Sequence, residues 1–284
     1  MINSEILSKI KILAFDLDGT LLGGKGKLTE GVKASLLRAG EMGLEVVIAT
    51  GREISTIPDE VLHFPGIRYA VTSNGARTFD LRTGECIYEN LLTREAVEAA
   101  MPWISDPDVM KEIFFDDNVL ADRHALLDLP RYGITKEQTI IYHQTTRKPC
   151  DDTVAVLLEN ADRMENINLQ FASQEKRIRY WEELKKIPGL TVVSSMPHNI
   201  ELGGATTSKA NALKELVASM GLGHENIMAF GDSSNDAHML ECAAVGVAMG
   251  NAVDELKAAA DWVTLPNTED GVAFALECLL GVTA

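Results

Sequence analysis

The stretch IKILAFDLDGTLL, residues 10–22, decides the fold of this chain and the position of its chemistry. An almost continuous apolar run fills its first half, and Asp16 and Asp18 follow where that run ends. A short apolar run of this kind is typical of a strand that is buried on both faces, as in parallel sheets. Ligands of open α/β sheets bind outside the carboxyl ends of such strands. The two carboxylates are therefore candidates for a site at the edge of a sheet.

Asp16 and Asp18 stand only two residues apart, and like charges at close range raise each other's pKa values. A hard divalent cation that takes oxygen ligands, such as Mg²⁺, would offset their charge. The alternative without chemistry is that both aspartates only form turns or caps. The remainder of the chain must therefore be searched for groups that would complete a metal site.

Size and charge bound the possible functions. The chain has 284 residues, enough for one large domain or two of moderate size. The formal net charge of −16 argues against a nucleic-acid partner, because a polyanion needs a basic face on the protein. A small phosphorylated substrate stays possible if cations are concentrated around it.

The composition favours a cytoplasmic protein without a membrane partner. No apolar stretch approaches the length of a membrane span, and residues 1–11 lack the apolar segment of a secretory signal. Four cysteines are scattered without the spacing of a metal site, and we expect them to be reduced, mostly buried thiols: Cys86, Cys150, Cys242 and Cys278. The oligomeric state stays open.

Both ends of the chain predict a parallel sheet in which strands alternate with helices. After the opening strand, the predicted elements are helices at 29–42, 208–220 and 270–280 and strands at 44–49, 69–71, 227–230, 245–249 and 262–265. Polar residues follow these strands repeatedly, which is the βαβ pattern of an α/β fold.

The middle of the chain predicts a different, antiparallel architecture. Hairpins are indicated at 79–88 and around 116–118, helices at 93–104 and 174–186, and further strands at 153–158, 167–171 and 190–193. Hairpins and helices between two halves of a parallel sheet suggest an inserted α+β domain. We place this insert at residues 82–198, which leaves residues 1–81 and 199–284 as the core.

Polar residues at four strand or helix ends could meet at one edge of the predicted core sheet: Asp16 with Asp18, Thr50, Lys209, and the group Asp232, Asn235 and Asp236. The carboxylates suit Mg²⁺. A lysine at a helix N-terminus, after the candidate N-cap Ser208, would hold a phosphate together with backbone amides. Hydroxyl and amide side chains would add further donors.

With metal and phosphate present, the two early aspartates acquire separate roles. One would attack phosphorus and form an aspartyl-phosphate. The other would protonate the leaving alkoxide and later deprotonate water. The sequence thus indicates phosphoryl transfer, in which the protein mainly supplies positioning and neutralises charge.

Four motifs in order resemble those of the haloacid dehalogenase-like phosphatases: DLDGTLL at 16–22, IATGR at 48–52, a lone lysine at 209 before a helix, and GDSSND at 231–236. Their spacing and the SNGA at 73–76 are similar to the Cof-type branch, which carries a large C2 cap between the second and third motifs. The resemblance covers essentially the whole chain. It implies a Rossmann-like, doubly wound α/β core, an inserted α+β C2-type cap that selects the substrate, and a Mg²⁺-dependent phosphatase acting on small phosphorylated metabolites such as sugar phosphates.

The resemblance also implies a role for each matching residue. Asp16 would be the nucleophile and Asp18 the general acid/base. The phosphoryl group would be bound by Thr50, Gly51, Lys209 and Asn235. Mg²⁺ would be held by Asp16, the backbone carbonyl of Asp18 and Asp232, with Asp236 acting indirectly, through another ligand of the ion or through a water. Asn211 departs from the pattern, since relatives often carry glycine after the lysine.

Several of these residues have ordinary alternatives. Asp236 could be a charge that the dipole of a following helix favours, and Lys209 by itself would be a solvated lysine. Arg52 and Asn74 could contact the substrate or only make local hydrogen bonds.

Two other functions remain open. A phosphomutase of the phosphomannomutase-like type shares the DxDGT start, but it would need a second phosphate site in the insert. The basic run at 176–179 fits the solvated face of a helix, with Arg177 or Arg179 as a less favoured substrate contact. A non-catalytic sensor of phosphorylated metabolites would normally lack one of the catalytic groups, and this chain has all of them.

Overall fold

The computed structural model describes residues 2–283, and the chain divides into two compact units. The first unit comprises the residues up to 52, residues 57–89 and the residues from 208 onwards, and the second comprises residues 53–56 and 90–207. Among the described residues, no helix combines the length and apolar character that crossing a membrane requires.

The strands of residues 2–283 form two sheets, one in each unit. The first unit contains β1 (Ile12–Phe15), β2 (Glu45–Ala49), β3 (Tyr69–Thr72), β4 (Arg77–Asp80), β5 (Glu85–Glu89), β12 (Ile227–Gly231), β13 (Val245–Ala248) and β14 (Trp262–Val263). The second contains β6 (Val109–Phe115), β7 (Asn118–Asp122), β8 (Lys148–Cys150), β9 (Asn166–Phe171), β10 (Leu190–Val193) and β11 (Asn199–Gly204).

Helices accompany both sheets. Those of the first unit are α1 (Ser4–Leu7), α2 (Glu30–Glu41), α3 (Asp59–Leu62), α9 (Lys209–Ser219), α10 (Ala237–Cys242), α11 (Asp254–Ala259) and α12 (Gly271–Leu280). Those of the second unit are α4 (Arg94–Ile104), α5 (Arg123–Leu126), α6 (Glu137–Thr146), α7 (Thr153–Glu159) and α8 (Gln174–Leu184).

The first sheet confirms the predicted α/β core. Its order is β14-β13-β12-β1-β2-β3-β4-β5, and the strands from β14 to β3 run parallel. β1 lies at the centre between β12 and β2, so both of its faces and both of its edges are covered, which explains why all four of its residues are apolar and buried. Because β1, β2 and β12 are parallel neighbours, the segments that follow them emerge at the same edge of the sheet.

The second sheet has the order β10-β11-β9-β6-β7-β8 and is antiparallel except between β7 and β8. Alternate residues such as Ile113, Leu169 and Ile200 belong to an apolar core that includes residues of α4, α7 and α8. The residues between them include Glu112 and Asn168, which are directly paired across β6 and β9. This period-two pattern leaves one face of the sheet apolar and the other polar.

The strand predicted at 153–158 is wrong, since these residues lie in α7. The β-branched residues of this stretch suggested a strand, but Asp152 begins a helix by accepting a hydrogen bond from the amide of Ala155 at 2.9 Å. Burial of Leu157 in the apolar core then fixes the helix against the second sheet.

The prediction that the four cysteines are mostly buried is wrong, since Cys86, Cys242 and Cys278 are exposed and Cys150 is half-buried.

The compact units divide the chain a few residues away from the predicted boundaries at 82 and 198. Residues 82–89 belong to the first unit because β5 pairs with β4 of the first sheet. Residues 199–207 belong to the second because β11 lies between β10 and β9. The role of the second unit as a substrate-selecting cap stays a prediction.

Candidate active site

The loop after β1 contacts the loop after β12 closely enough to require glycine at position 19. Gly19 has a φ of +84°, a conformation that side-chain-bearing residues rarely adopt. A Cβ at this position would lie 2.4 Å from Oδ2 of Asp232. The glycine of DLDGT therefore brings the first and last motifs together.

Lys209 connects the ends of the first and fourth motifs. Its ammonium Nζ donates to Oδ1 of Asp16 at 2.6 Å and to Oδ1 of Asp236 at 2.7 Å. The side chain is almost fully buried, with 2% exposure, so it is not the solvated lysine of the alternative interpretation. Two charge-assisted hydrogen bonds fix the ammonium between the two carboxylates.

The position of Lys209 follows from how α9 begins. Ser208 caps the helix by accepting a hydrogen bond from the amide of Asn211 at 3.0 Å. Gly75 follows β3 with a φ of +101°, and a Cβ on it would lie 2.2 Å from the carbonyl oxygen of Ser208. The glycine of SNGA therefore lets the β3 loop pack against the first turn of α9.

Asp236 organises the loop that follows β12. Its Oδ2 accepts hydrogen bonds from the amides of Asp232 and Ser233, each at 3.0 Å, while its Oδ1 accepts from Lys209. Its side chain makes no capping hydrogen bond to α10, which begins at the next residue. Asp236 thus fixes the positions of Asp232 and Lys209. This role differs from that of a charge that only interacts with a helix dipole.

Asp16, Asp232 and Asp236 each offer a carboxylate oxygen, and the three oxygens lie within 4.8 Å of one another. We call these three residues and Lys209 the lysine cluster. Burial raises the pKa of Asp16 well above its ordinary value; Lys209 opposes the rise and Asp236 adds to it. Burial, and next the charge of Asp236, raise the pKa of Asp232 to about 7.

The lysine cluster therefore holds more negative charge than its own ammonium neutralises. Hard carboxylate oxygens at short range, with surplus negative charge, are the donor set that Mg²⁺ takes in proteins. The residues fit this ion, and Asp16 and Asp232 are the carboxylates with raised pKa values. The predicted contribution of the Asp18 carbonyl stays a prediction.

The side chain of Asp18 makes a contact that the sequence analysis missed. Arg52 binds it in a bidentate fashion, with Nε 2.6 Å from Oδ2 and Nη2 2.7 Å from Oδ1. Asp18 is half exposed, at 56% of its side chain, while that of Arg52 is 13% exposed. The signal that could have found this pair is the adjacency of β1 and β2, since their following loops share one edge.

The remaining predicted phosphate ligands are linked through Asn74. The carbonyl of Thr50 accepts a hydrogen bond from the amide of Asn74 at 2.9 Å, and Nδ2 of Asn235 donates to Oδ1 of Asn74 at 3.1 Å. Oγ1 of Thr50 accepts from the amide of Arg52 at 3.1 Å, and Gly51 lies between them in the chain. The roles of Thr50, Gly51 and Asn235 in binding phosphate stay predictions.

The less favoured substrate contacts of the second unit have structural partners. Arg177 donates from Nε to the carbonyl of Asn199 at 2.8 Å and from Nη2 to Oγ of Ser194 at 2.9 Å. Arg179 lies over the ring of Tyr180, 5.6 Å from its centroid.

Known proteins resemble this chain over nearly its whole length. A family model described as haloacid dehalogenase-like hydrolase matches residues 13–276. Phosphatase YwpJ of Bacillus subtilis is 31% identical, with 95% of this chain and 100% of that protein covered. YwtE of the same organism, a 5-amino-6-(5-phospho-D-ribitylamino)uracil phosphatase, is 33% identical over 95% of this chain and 98% of its own length. A solved structure of a haloacid dehalogenase-like hydrolase from B. subtilis has a TM-score of 0.83 at 30% identity and covers 94% of this chain and 99% of its own.

Proposed function

Since the chain belongs to the haloacid dehalogenase-like hydrolases and is a phosphoric monoester hydrolase, we propose that it is a Mg²⁺-dependent phosphatase that works through an aspartyl-phosphate. The observation that carries this proposal is the lysine cluster, in which Lys209 bridges Asp16 and Asp236 beside Asp232. One buried ammonium cannot neutralise this carboxylate set, so a divalent cation would balance the remaining charge and let an anionic phosphoryl group approach.

The first chemical step uses Asp16 as the nucleophile. A carboxylate oxygen of Asp16 attacks phosphorus, the bond from phosphorus to the ester oxygen breaks, and an aspartyl-phosphate forms. Asp18 in its protonated form donates its proton to the leaving oxygen. Lys209 lies 2.6 Å from the attacking carboxylate and stabilises the negative charge that develops on the transferred phosphoryl group.

The second step reverses the task of Asp18. As a carboxylate, Asp18 takes a proton from a water molecule, and the resulting hydroxide attacks phosphorus. The bond between phosphorus and the Asp16 oxygen breaks, which releases inorganic phosphate and regenerates the Asp16 carboxylate. The bidentate hydrogen bonds from Arg52 fix the orientation of the Asp18 carboxyl group, so that one rotamer serves both proton transfers. Arg52 is in this account a positioning residue for Asp18.

Asp16 and Asp232 would hold Mg²⁺, together with the carbonyl of Asp18. The ion would supply charge neutralisation, so that an anionic phosphate can approach the carboxylates. Asp236 acts indirectly, because its two oxygens are engaged by Lys209 and by the amides after β12.

The proposed substrates are small phosphorylated metabolites, sugar phosphates or similar esters, in the cytoplasm. The named activity of YwtE, on a phosphorylated ribitylamino compound, supports this class. E. coli YbhA, which is 28% identical, is named a pyridoxal phosphate phosphatase, so relatives at this distance act on different monoesters. Selection of the leaving group by the second unit is part of the proposal.

A panel of phosphate esters tests the reaction. Purified protein should hydrolyse several of them with Mg²⁺ and none after EDTA treatment, and bisphosphates in the panel would reveal mutase activity. Asp16→Asn should lower kcat by about four orders of magnitude or more, because no nucleophile remains. Circular dichroism should show an intact fold in this variant.

Two outcomes would contradict the proposal. Turnover that persists after removal of divalent ions would exclude the metal, and turnover by Asp16→Asn at more than about one hundredth of the original rate would exclude Asp16 as nucleophile. The unaltered protein should carry the label after incubation with an ester labelled in its phosphoryl group and quenching with acid. The Asp16→Asn variant should carry none.

A further inference from the structure

Asn251 joins the loop that contains Asp18 to a loop on the far side of β12. Its Nδ2 donates to the carbonyl of Gly19 at 2.8 Å, and its Oδ1 accepts a hydrogen bond from the amide of Asn267 at 2.9 Å. Gly19 directly follows Asp18, whereas Asn251 lies in the loop after β13. Since β12 lies between β1 and β13 in the sheet, the side chain connects two loops whose strands are not neighbours. The proposed chemistry gives this asparagine no role.

The backbone around Asn251 is held in place by the loop after β14. The amide of Gly250 donates to the carbonyl of Leu265 at 3.1 Å. A Cβ on Gly250 would lie 2.6 Å from the backbone nitrogen of Pro266, so the two loops pack closely. Although Asn251 is exposed to water, its amide group starts from a fixed backbone, which reduces the entropy lost when it binds a partner.

The same segment also contacts the loop that contains Asp232. The amide of Val253 donates to the backbone carbonyl of Asp232 at 3.0 Å. Residues 251–253 thus bind one backbone carbonyl in each of the two loops that carry the proposed Mg²⁺ ligands. One short segment therefore fixes the separation of these loops.

Gly19 is a position where such a contact has a large effect on the backbone. Glycine rotates more freely than any other residue, so the peptide groups on both sides of Gly19 need contacts that hold them. The peptide before Gly19 contains the Asp18 carbonyl, a proposed ligand of Mg²⁺. The hydrogen bond from Asn251 fixes the peptide after Gly19, and Arg52 fixes the side chain of Asp18. Asp18 is thus restrained through its backbone and through its side chain.

We propose that Asn251 is a positioning residue, whose hydrogen bond to Gly19 keeps the Asp18 carbonyl in one orientation for Mg²⁺. The proposal rests on the proposed function and adds a residue to the support of the same site. Side chains that orient a metal ligand without touching the metal typically contribute about 10–100-fold to metal affinity or activity. Loss of this hydrogen bond should therefore weaken Mg²⁺ binding and turnover together.

Calorimetric titration of the full-length protein with Mg²⁺ tests this role without any turnover. Asn251→Ala removes the amide group, and Asn251→Leu keeps much of its volume without a donor or acceptor. Neither change adds a charge beside the cation site. Each should raise the Kd for Mg²⁺ by about 10-fold or more, and kcat/KM for p-nitrophenyl phosphate at a fixed, subsaturating Mg²⁺ concentration should fall by about 10-fold.

Asn226→Ala is the matched control, because Asn226 makes the same kind of bridge at the opposite end of β1 and β12. Its Nδ2 donates to the carbonyl of Lys9 at 2.8 Å, and its Oδ1 accepts from the amide of Gly223 at 3.0 Å. Both Asn226→Ala and Asn251→Ala should lower the urea midpoint of the metal-free protein. Only the change at position 251 should alter Mg²⁺ binding, and Asn226→Ala should stay within about 2-fold of the original Kd and kcat/KM.

Two results would overturn the proposal. One is an unchanged Kd for Mg²⁺ in the Asn251 variants, and the other is an equal loss of Mg²⁺ affinity in Asn226→Ala, which would reduce the effect to general stability. Circular dichroism identifies which variants are folded at the titration temperature, and either folded Asn251 variant is sufficient. An unaltered protein that binds Mg²⁺ but hydrolyses no ester would contradict the phosphatase reaction alone, whereas one that binds no Mg²⁺ would contradict both proposals.

Discussion

Each of the two units contains a buried cluster of charged side chains, and the clusters differ in balance. In the first unit, the lysine cluster sets three carboxylates against one ammonium. In the second, Glu112 accepts hydrogen bonds from Nδ1 of His143 at 2.8 Å, Nε of Arg147 at 2.7 Å and Nδ2 of Asn168 at 2.6 Å. We call these four residues the arginine cluster.

The carboxyl groups respond in opposite directions. Burial alone would raise the pKa of Glu112, but Arg147 and His143 outweigh it and hold that pKa well below the ordinary range. Burial raises the pKa values of Asp16 and Asp232, and one lysine does not reverse the change. A balanced cluster is complete within the protein, whereas surplus charge of one sign indicates a place for a ligand.

Of the changes that test this comparison, replacement of Lys209 should have the largest effect, and that effect is on turnover. Lys209→Met removes the single cation of the lysine cluster, and kcat/KM for p-nitrophenyl phosphate should fall by about 10²–10³-fold with saturating Mg²⁺. Lys214→Met is the control, since Lys214 is an exposed residue of the same helix. A variant at position 209 with more than about one third of the original kcat/KM would mean that the ammonium does not serve catalysis.

Glu112→Gln should act on stability instead. It leaves Arg147 buried without its carboxylate, so the free energy of unfolding in urea should fall by about 3–5 kcal/mol. Turnover of p-nitrophenyl phosphate at a temperature where the variant is folded should change little. A second change, Arg147→Met, should recover much of the lost stability; a double variant as unstable as the single one would show that the charge balance is not the cause.

The smallest expected effect is a pH dependence of the metal-free protein. Asp232 has a pKa of about 7 in the folded chain and about 3.9 when unfolded, so between these values only the folded state keeps the proton. The free energy of unfolding should therefore fall as pH rises from about 4 to about 7. Glu112 has the opposite pH dependence, because its pKa is lower in the folded chain than in the unfolded one. Its contribution to the free energy of unfolding is therefore lost as pH falls below about 4.

Asp232→Asn isolates the first of these effects. In EDTA, the difference in unfolding free energy between this variant and the unaltered protein should grow in favour of the variant from pH 4 to pH 7 and then level off. A difference that stays constant over this range would show that folding does not perturb the carboxyl group of Asp232.

Strand order explains which parts of the candidate site could be predicted. Asp16 and Asp232 follow apolar strands, and an uninterrupted apolar run by itself predicts a strand buried in a parallel sheet. Lys209 is recognisable from the sequence because it directly follows a candidate capping serine, Ser208, at the start of a helix. These are local signals, and the structure places all three residues in one cluster.

The missed contacts have no local signal. The bidentate hydrogen bonds from Arg52 to Asp18 depend on the conformation of two loops, and the two residues are 34 positions apart in the chain. Glu112 lies in a strand whose pattern predicts only a hairpin, and its partners follow 31, 35 and 56 residues later. The helix α7 was misread because the side chain of Asp152 outweighed the β-branched residues after it.

The central position of β1 also determines when its surroundings can be completed during synthesis of the chain. One of its neighbours, β2, follows within some thirty residues, but β12 and Lys209 lie near the other end of the chain. At about 5–20 residues per second, a ribosome needs roughly 10–40 s to travel from β1 to β12. Throughout that time the edge of β1 that pairs with β12 has no partner strand and Asp16 has no ammonium beside it. The proposed nucleophile is therefore synthesised first, long before the residues that complete its surroundings.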